Sequence, residues 1–202
     1  MIKNIIFDIG NVLMEYRWAE ALEDTGLSKE TAKDIWTQMF DDELWVMHDA
    51  GTATTDDLIR EFGARFPKYA ENIKEFLIHG ERMHIKRPEI WEKVHTLKQL
   101  GYGIYLLSNY SEYLFKIHMK DAAFMDDIDG KLVSYEVNQV KPDRDIYETL
   151  IERFSLDPKD CIFLDDRKEN TDTAKALGID SITIESREHL NLVLDELIKK
   201  RS

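Results

Sequence analysis

Two short apolar runs in this chain end in carboxylates. Ile5-Ile6-Phe7 leads into Asp8-Ile9-Gly10-Asn11-Val12-Leu13, and Cys161-Ile162-Phe163-Leu164 leads into Asp165-Asp166. Runs of this length and composition suit strands buried on both faces of a parallel sheet. Ligands of open α/β sheets bind beyond the carboxyl ends of the strands. A chain built this way delivers Asp8 and the Asp165-Asp166 pair to one edge of one sheet, where carboxylate oxygens suit a hard cation.

The surrounding pattern supports the same architecture. The first strand is expected over about 2–7. After the turn-like Gly101-Tyr102-Gly103, strands near 104–107, 161–164 and 181–184 alternate with helices near 111–119, 143–154, 170–177 and 187–200. That alternation predicts an α/β fold, a Rossmann-like, doubly wound parallel sheet with helices on both faces. Between the first strand and residue 101 the sequence is mostly helical. Ala19 to Leu27 forms one segment. Ser28 reads as an N-cap before Ile35, Trp36, Met39 and Phe40 at helical spacing. Another helix opens near Thr55 and carries Leu58, Ile59 and Phe62 on one face, and residues 70–80 supply one more. Pro88 fits the first turn of a helix carrying Ile90, Trp91, Val94 and Leu97. The helical stretch is too long for a simple crossover. It is expected to be an inserted α-helical cap, residues 16–85, with residues 1–15 and 86–202 forming the core.

Bulk properties narrow the function. With 43% hydrophobic and 33% charged residues, the chain reads as globular. Its net charge of −13 argues against nonspecific binding to a phosphate backbone, so no nucleic-acid partner is expected. An anionic substrate remains compatible, because a bound divalent cation can dominate the local field. Cys161, the single cysteine, cannot form an intramolecular disulfide and reads as a small core residue. Met1 to Asn4 run straight into the first strand, leaving no room for a signal peptide, and no apolar stretch is long enough to span a bilayer. A cytoplasmic setting without membrane association is expected.

Four patches fall where strands of such a sheet would end: Phe7-Asp8-Ile9-Gly10-Asn11, Leu106-Leu107-Ser108-Asn109, Val140-Lys141-Pro142-Asp143, and Phe163-Leu164-Asp165-Asp166 with Asn170 beyond it. A carboxylate, a hydroxyl, a lysine and a carboxylate pair together suit phosphoryl transfer assisted by a hard cation. Taken singly, each has an ordinary alternative: a strand-end cap, a loop junction, a solvated lysine, a helix cap. In this order, they resemble the haloacid dehalogenase-like hydrolase superfamily, and the helical insert resembles that of its helical-cap subfamily I. The Asp-x-Gly-Asn form of the first patch looks most like the group that includes glucose-1-phosphate phosphatases.

The resemblance implies specific roles. Asp8 matches the nucleophile that forms an aspartyl-phosphate, and Ser108 the hydroxyl that binds the transferring phosphoryl group. Asn109 would add a donor there. Lys141 matches the lysine that offsets negative charge. Asp166 matches a Mg2+ ligand, supported by Asp165 directly or through water, and Gly10 would contribute its backbone carbonyl. Gly10 is also the departure, since most phosphatases of the superfamily carry there a second aspartate that protonates the leaving oxygen and then activates water. Such acid–base help is worth roughly 10²–10⁴-fold, so its loss should slow catalysis and not abolish it. An anomeric leaving oxygen, which departs readily, would soften the loss. Glu15 would otherwise replace the acid in part, although a hinge role for Glu15, Tyr16, Arg17 and Trp18 is the plainer expectation.

Among the histidines, His48 lies in a segment resembling one that faces the active site in related enzymes, and it is the candidate for touching substrate. The Trp and Met residues of the cap read as core. Asn170 would either cap the following helix or steady the metal-ligand loop. Together these features predict a Mg2+-dependent phosphatase for a small phosphorylated metabolite, such as a hexose 1-phosphate, acting as a monomer or weak homodimer. The rivals are a catalytically weak or silent phosphometabolite-binding protein and, behind it, a 2-haloacid dehalogenase.

Overall fold

The computed structural model describes residues 1–201. Its strands are β1 (Asn4–Phe7), β2 (Met14–Tyr16), β3 (His84–Lys86), β4 (Gly103–Ser108), β5 (Gly130–Val133), β6 (Cys161–Asp165) and β7 (Asp180–Thr183). Its helices are α1 (Trp18–Glu23), α2 (Lys29–Phe40), α3 (Glu43–Asp49), α4 (Thr55–Arg65), α5 (Ala70–Ile78), α6 (Pro88–Gln99), α7 (Glu112–Met119), α8 (Ser134–Val137), α9 (Arg144–Arg153), α10 (Lys168–Ala176) and α11 (Arg187–Lys199).

Five strands form one sheet in the order β5-β4-β1-β6-β7, all parallel. This is the expected Rossmann-like α/β fold. The first strand pairs with β4 on one side and β6 on the other, so the chain order reverses at β1 and opens a crevice at its carboxyl end. Side-chain alternation divides the core. Ile6, Leu107, Phe163 and Cys161 pack with Ile146, Tyr147 and Leu150 of α9. Ile5, Phe7, Leu106 and Leu164 face the other way, against α6 and α11, and that layer continues without a break into buried residues of the helices between β2 and β3, such as Leu22, Ile35 and Phe62. Cys161 is fully buried, as its sequence context implied.

The four expected strands are present with shifts of one or two residues at their ends. Strand β5 is an addition to them. Its sequence is Gly130-Lys131-Leu132-Val133, only its last two residues are buried, and it lies on the sheet edge. Four residues of that kind carry too little pattern to be read as a strand.

The helices α1 to α5 lie between β2 and β3, which pair antiparallel with Tyr16 opposite His84 and Met14 opposite Lys86. The boundaries expected at 15/16 and 85/86 fall on this two-stranded ribbon. Ser28 caps α2 by accepting from the Thr31 amide, and Thr54 and Asp57 form a reciprocal capping box at the start of α4. Among the described residues, no helix is long and apolar enough to cross a membrane.

Candidate active site

Three adjacent strands supply the site. Asp8 follows β1, Ser108 ends β4 and Asp165 ends β6, so the central strand and both neighbours deliver polar groups to one crevice. The remaining patch, Val140-Lys141-Pro142-Asp143, arrives from the loop before α9 and places Lys141 between two acids. Its Nζ lies 2.9 Å from Asp8 Oδ1 and 2.6 Å from Asp165 Oδ2. Ser108 Oγ donates to Asp8 Oδ1 over 2.6 Å. All four groups are buried.

Each side chain is held by neighbours. Asn109 grips the main chain of Lys141 from both sides: its Nδ2 donates to the Lys141 carbonyl and its Oδ1 accepts from the Lys141 amide, at 2.9 and 2.8 Å. Its amide carbonyl is thus committed to positioning the lysine, a contact the expected donor role does not include. Asp165, with no exposure, accepts from Lys141, from the Arg167 amide and from Asn170 Nδ2. Asn170 lies inside α10, whose N-cap position is Arg167, so the cap alternative for Asn170 is corrected and its contact is with Asp165. Asp166 accepts from Asn11 Nδ2 over 2.9 Å. The backbone of Asn11 is left-handed (φ 53°), a conformation asparagine tolerates better than most residues. The loop carrying it is pinned from outside, with Arg87 donating to the Asn11 carbonyl and Trp91 to that of Leu13.

The electrostatics leave this cluster short of positive charge. One oxygen from each of Asp8, Asp165 and Asp166 lies within 4.8 Å of the others, and among the described residues Lys141 is the only cationic side chain bonded within the cluster. Burial pushes the Asp8 carboxyl well above the usual carboxylate range; Lys141 pulls it back, while Asp165 and Asp166 raise it further. Burial likewise raises Asp166. Burial alone would lower the ammonium of Lys141, but the pull of Asp165 and Asp8 outweighs it and holds the lysine charged. Three oxygen ligands with surplus negative charge form a donor set that fits a hard divalent cation.

The crevice opens into a cavity of about 350 Å³ between the sheet edge and the helices α1 to α3. Its floor holds Asp8, Gly10, Ser108, Lys141 and Asp166; its far wall is aromatic, with Trp18, Trp36, Phe40 and Trp45. These rings pack on one another, Trp18 stacked on Trp36 at 5.0 Å and Trp45 edge-on to Trp36 at 5.3 Å. Trp45 lies in the buried core and Trp18 and Trp36 pack against it, as expected, and all three line the cavity as well. Across its mouth the Arg167 guanidinium sits 5.8 Å from the centre of the Phe40 ring.

Two expected residues are placed elsewhere. The ring of His48 is turned into the cap, with Nε2 against Thr55 Oγ1 at 3.1 Å and Nδ1 buried without a partner, and it does not line the cavity. Burial lowers it to about 4, which keeps it neutral at ordinary pH. Glu15 pairs with Arg87 at 3.4 Å and is also absent from the cavity wall. Beside Trp45, the residue that α3 presents to the cavity is Asp49. Its signal in the sequence is position: Asp49, four residues beyond Trp45, lies about 40° to one side of it, whereas His48, three residues beyond, lies about 60° to the other, and the cavity is on the Asp49 side.

Gly10 is more than a missing side chain. A Cβ placed there would stand 2.3 Å from Tyr16 Cε2 and 3.0 Å from Cζ, so the tyrosine ring fills the space. That ring is tied down. His118 Nε2 faces the Gly80 carbonyl at 2.8 Å and must donate to it, which leaves Nδ1 to accept from the Tyr110 hydroxyl at 2.7 Å. The Tyr110 oxygen then accepts from Tyr16. Replacing glycine with the usual acid is therefore expected to do harm. Gly10→Asp must push Tyr16 into the cavity, costing about 1–3 kcal/mol of stability by overpacking and lowering kcat/KM. Adding Tyr16→Ala should restore part of both, which urea denaturation and steady-state kinetics would show.

Fold and site together define a Rossmann-like α/β protein with a buried cluster of three carboxylates and a lysine at its switch point. The chain belongs to the haloacid dehalogenase-like hydrolases, whose family model matches residues 2–178. Among curated relatives, a drimenol cyclase of Aspergillus calidoustus is 25% identical over 98% of this chain, which spans only 37% of that protein's length. A sesquiterpene phosphatase of Aspergillus oryzae is 26% identical, covering 88% of this chain and 87% of its own length. A D-ribitol-5-phosphate phosphatase of Bacteroides thetaiotaomicron is 22% identical over 96% of this chain and 100% of its own. Among solved structures, a HAD family enzyme of the same bacterium, crystallised with magnesium and inorganic phosphate, superposes with a TM-score of 0.72 at 24% identity, covering 93% of this chain and 96% of that one. At that identity the likeness speaks for the fold.

Proposed function

We propose that this chain is a magnesium-dependent phosphatase that hydrolyses a small phosphorylated metabolite through an aspartyl-phosphate on Asp8. The observation that carries the reading is the placement of Asp8: buried, bonded to Ser108 and Lys141, and sharing its crevice with Asp165 and Asp166. Asp8, Asp166 and the carbonyl of Gly10 would hold the cation, with Asp165 beside them, and the cation would supply neutralising charge for the phosphoryl oxygens. Asp8 attacks phosphorus and the bond to the leaving oxygen breaks. Ser108 then has a phosphoryl oxygen to bond in place of Asp8, and Lys141 offsets charge on both. Attack by water returns Asp8 and releases phosphate. The helical segment acts as a cap of the subfamily I type, covering the substrate and keeping bulk water out.

The aromatic wall supports a leaving group with an apolar or flat face, because rings offer contact area and few partners for hydroxyls. The sesquiterpene phosphatase likeness is in line with that. A hexose 1-phosphate is the second reading, favoured by the likeness to a sugar-alcohol phosphatase and by the readiness of an anomeric oxygen to leave. A phosphate-release panel containing prenyl, aryl and hexose phosphates, run with magnesium and with a chelator, separates them. The expected result is activity lost on chelation, with prenyl or aryl phosphates ahead of hexose 1-phosphates by about tenfold or more in kcat/KM, the worth of one or two buried methylenes. A hexose 1-phosphate in first place would favour the second reading, and no magnesium-dependent release from any compound would contradict both.

A further inference from the structure

We infer that Asp49, carried into the cavity on the cap helix α3, is the general acid and base of this site, exchanging the protons that no side chain at Gly10 can. The inference rests on the phosphatase reading above and adds a residue from the opposite wall of the cavity.

The position beside Asp8 where an acid would stand on the core side is closed by the Tyr16 ring. Proton exchange must then come from another group lining the same space. The Tyr16 hydroxyl is a poor acid, since burial pushes it well above its ordinary value. Asp166 is held by Asn11, Glu15 faces Arg87 and His48 faces Thr55. Asp49 alone of the remaining cavity-lining residues carries a carboxyl not assigned to the cation.

Its placement is built from both domains. The Asp49 carboxyl accepts from the Ser111 backbone amide at the start of α7. Its main-chain carbonyl accepts from Ser134 Oγ at 2.5 Å, and the next carbonyl, Ala50, from Asn138 Nδ2 at 2.7 Å. Gly51 then turns with φ +73° against the Tyr135 main chain, where an added Cβ would stand 3.1 Å from the carbonyl oxygen. Three bonds from the core therefore fix the end of one short cap helix, and the carboxyl they fix faces Asp8's cavity. Burial, with Asp8's charge second, raises Asp49 to about 7, so it can both carry and release a proton near neutrality.

The chemistry balances in two steps. As Asp8 Oδ bonds to phosphorus and the bond to the leaving oxygen breaks, Asp49 gives its proton to that oxygen. Ionised Asp49 next takes a proton from water as the water oxygen bonds phosphorus and the bond to Asp8 breaks. Phosphate departs and Asp49 is protonated again.

The test compares two probes of similar shape, benzyl phosphate, whose alkoxide needs a proton to leave, and p-nitrophenyl phosphate, whose phenolate does not. In magnesium, Asp49→Asn is expected to lower kcat for benzyl phosphate by roughly 10²–10⁴-fold. With p-nitrophenyl phosphate the first turnover should stay near the wild-type rate and appear as a burst, followed by slow hydrolysis. The thermal midpoint of this isosteric variant should match wild type near pH 4 and not fall below it at pH 8, because burial raises the carboxyl it replaces. Equal losses on the two probes with no burst, or no loss on either, would overturn the inference. Asp8→Asn run alongside keeps the premises apart. Activity surviving in that variant, or a wild-type protein inactive on both probes, overturns the phosphatase reading and the inference with it; an inactive Asp8→Asn beside an unaffected Asp49→Asn overturns the inference alone.

Discussion

Asp8→Asn is expected to lower magnesium-dependent phosphate release by about 10⁴-fold or more, as removal of a covalent nucleophile does elsewhere. The substitution keeps the shape of the side chain and removes its charge. Lys141 keeps its bond to Asp165 at 2.6 Å, so no buried cation is left unpaired and the fold should survive. Stability even moves the other way. Burial raises the Asp8 carboxyl above its unfolded value, so the folded state holds its proton longer than the unfolded state does. Folded-state stability therefore falls as pH rises from the ordinary carboxylate range towards neutrality. Without magnesium, Asp8→Asn should melt higher than wild type at pH 8 and close to wild type near pH 4. Calorimetry at the two pH values, beside a phosphate-release assay, checks both halves. A variant that is inactive and also melts well below wild type at pH 8 would mean that Asp8 serves the fold.

Lys141→Ala should have the second-largest effect, and it acts on stability and activity together. The ammonium is buried between Asp8 and Asp165, and its removal leaves those carboxylates without their bonded cation. Breaking a buried pair from one side costs about 3–5 kcal/mol, and loss of a charge-stabilising donor at a reacting group costs about 10²–10³ in kcat. Arginine should not rescue it, because a planar guanidinium cannot take the place of a compact ammonium held 5.3 Å from the centre of the Phe163 ring. The stability loss has a pH signature. It comes from carboxylates that must ionise unaided, so urea midpoints of variant and wild type should converge as pH falls into the carboxylate range and separate again by pH 8. A constant gap across that range would assign the loss to packing alone.

Much of this arrangement is legible in the sequence for a physical reason. Central strands of a parallel sheet are buried on both faces, so β1, β4 and β6 announce themselves as continuous apolar runs, and the residues just after them are committed to the sheet's edge. That is why the order of residues alone brings Asp8, Ser108 and the Asp165-Asp166 pair together. Lys141 follows from a loop and needs the resemblance to give it a role. The edge strand β5 and the ribbon of β2 and β3 escape because three or four half-exposed residues carry no period. The far wall of the cavity escapes for a different reason. Trp36 and Trp45 sit at helical spacing, and spacing alone does not separate a face that meets core from one that meets a cavity. Naming His48 and passing over Asp49 is a matter of helical phase: the two flank Trp45 at about 60° and 40° on opposite sides, and spacing alone does not say which side meets the cavity. Gly10 is readable as an absence, but the Tyr16 ring that fills it depends on the chain doubling back through β2, a tertiary fact.

The central claim is that Asp8 carries the phosphoryl group. Acid-quenching wild-type protein during turnover of the best panel substrate with magnesium, then sequencing its peptides by mass spectrometry, tests that claim most directly. The account predicts one added phosphoryl group on the peptide containing Asp8, labile to hydroxylamine and absent from Asp8→Asn. Steady turnover with no phosphorylated Asp8 at any quench time, in wild type or in an Asp49→Asn variant slowed at the hydrolysis step, would contradict it.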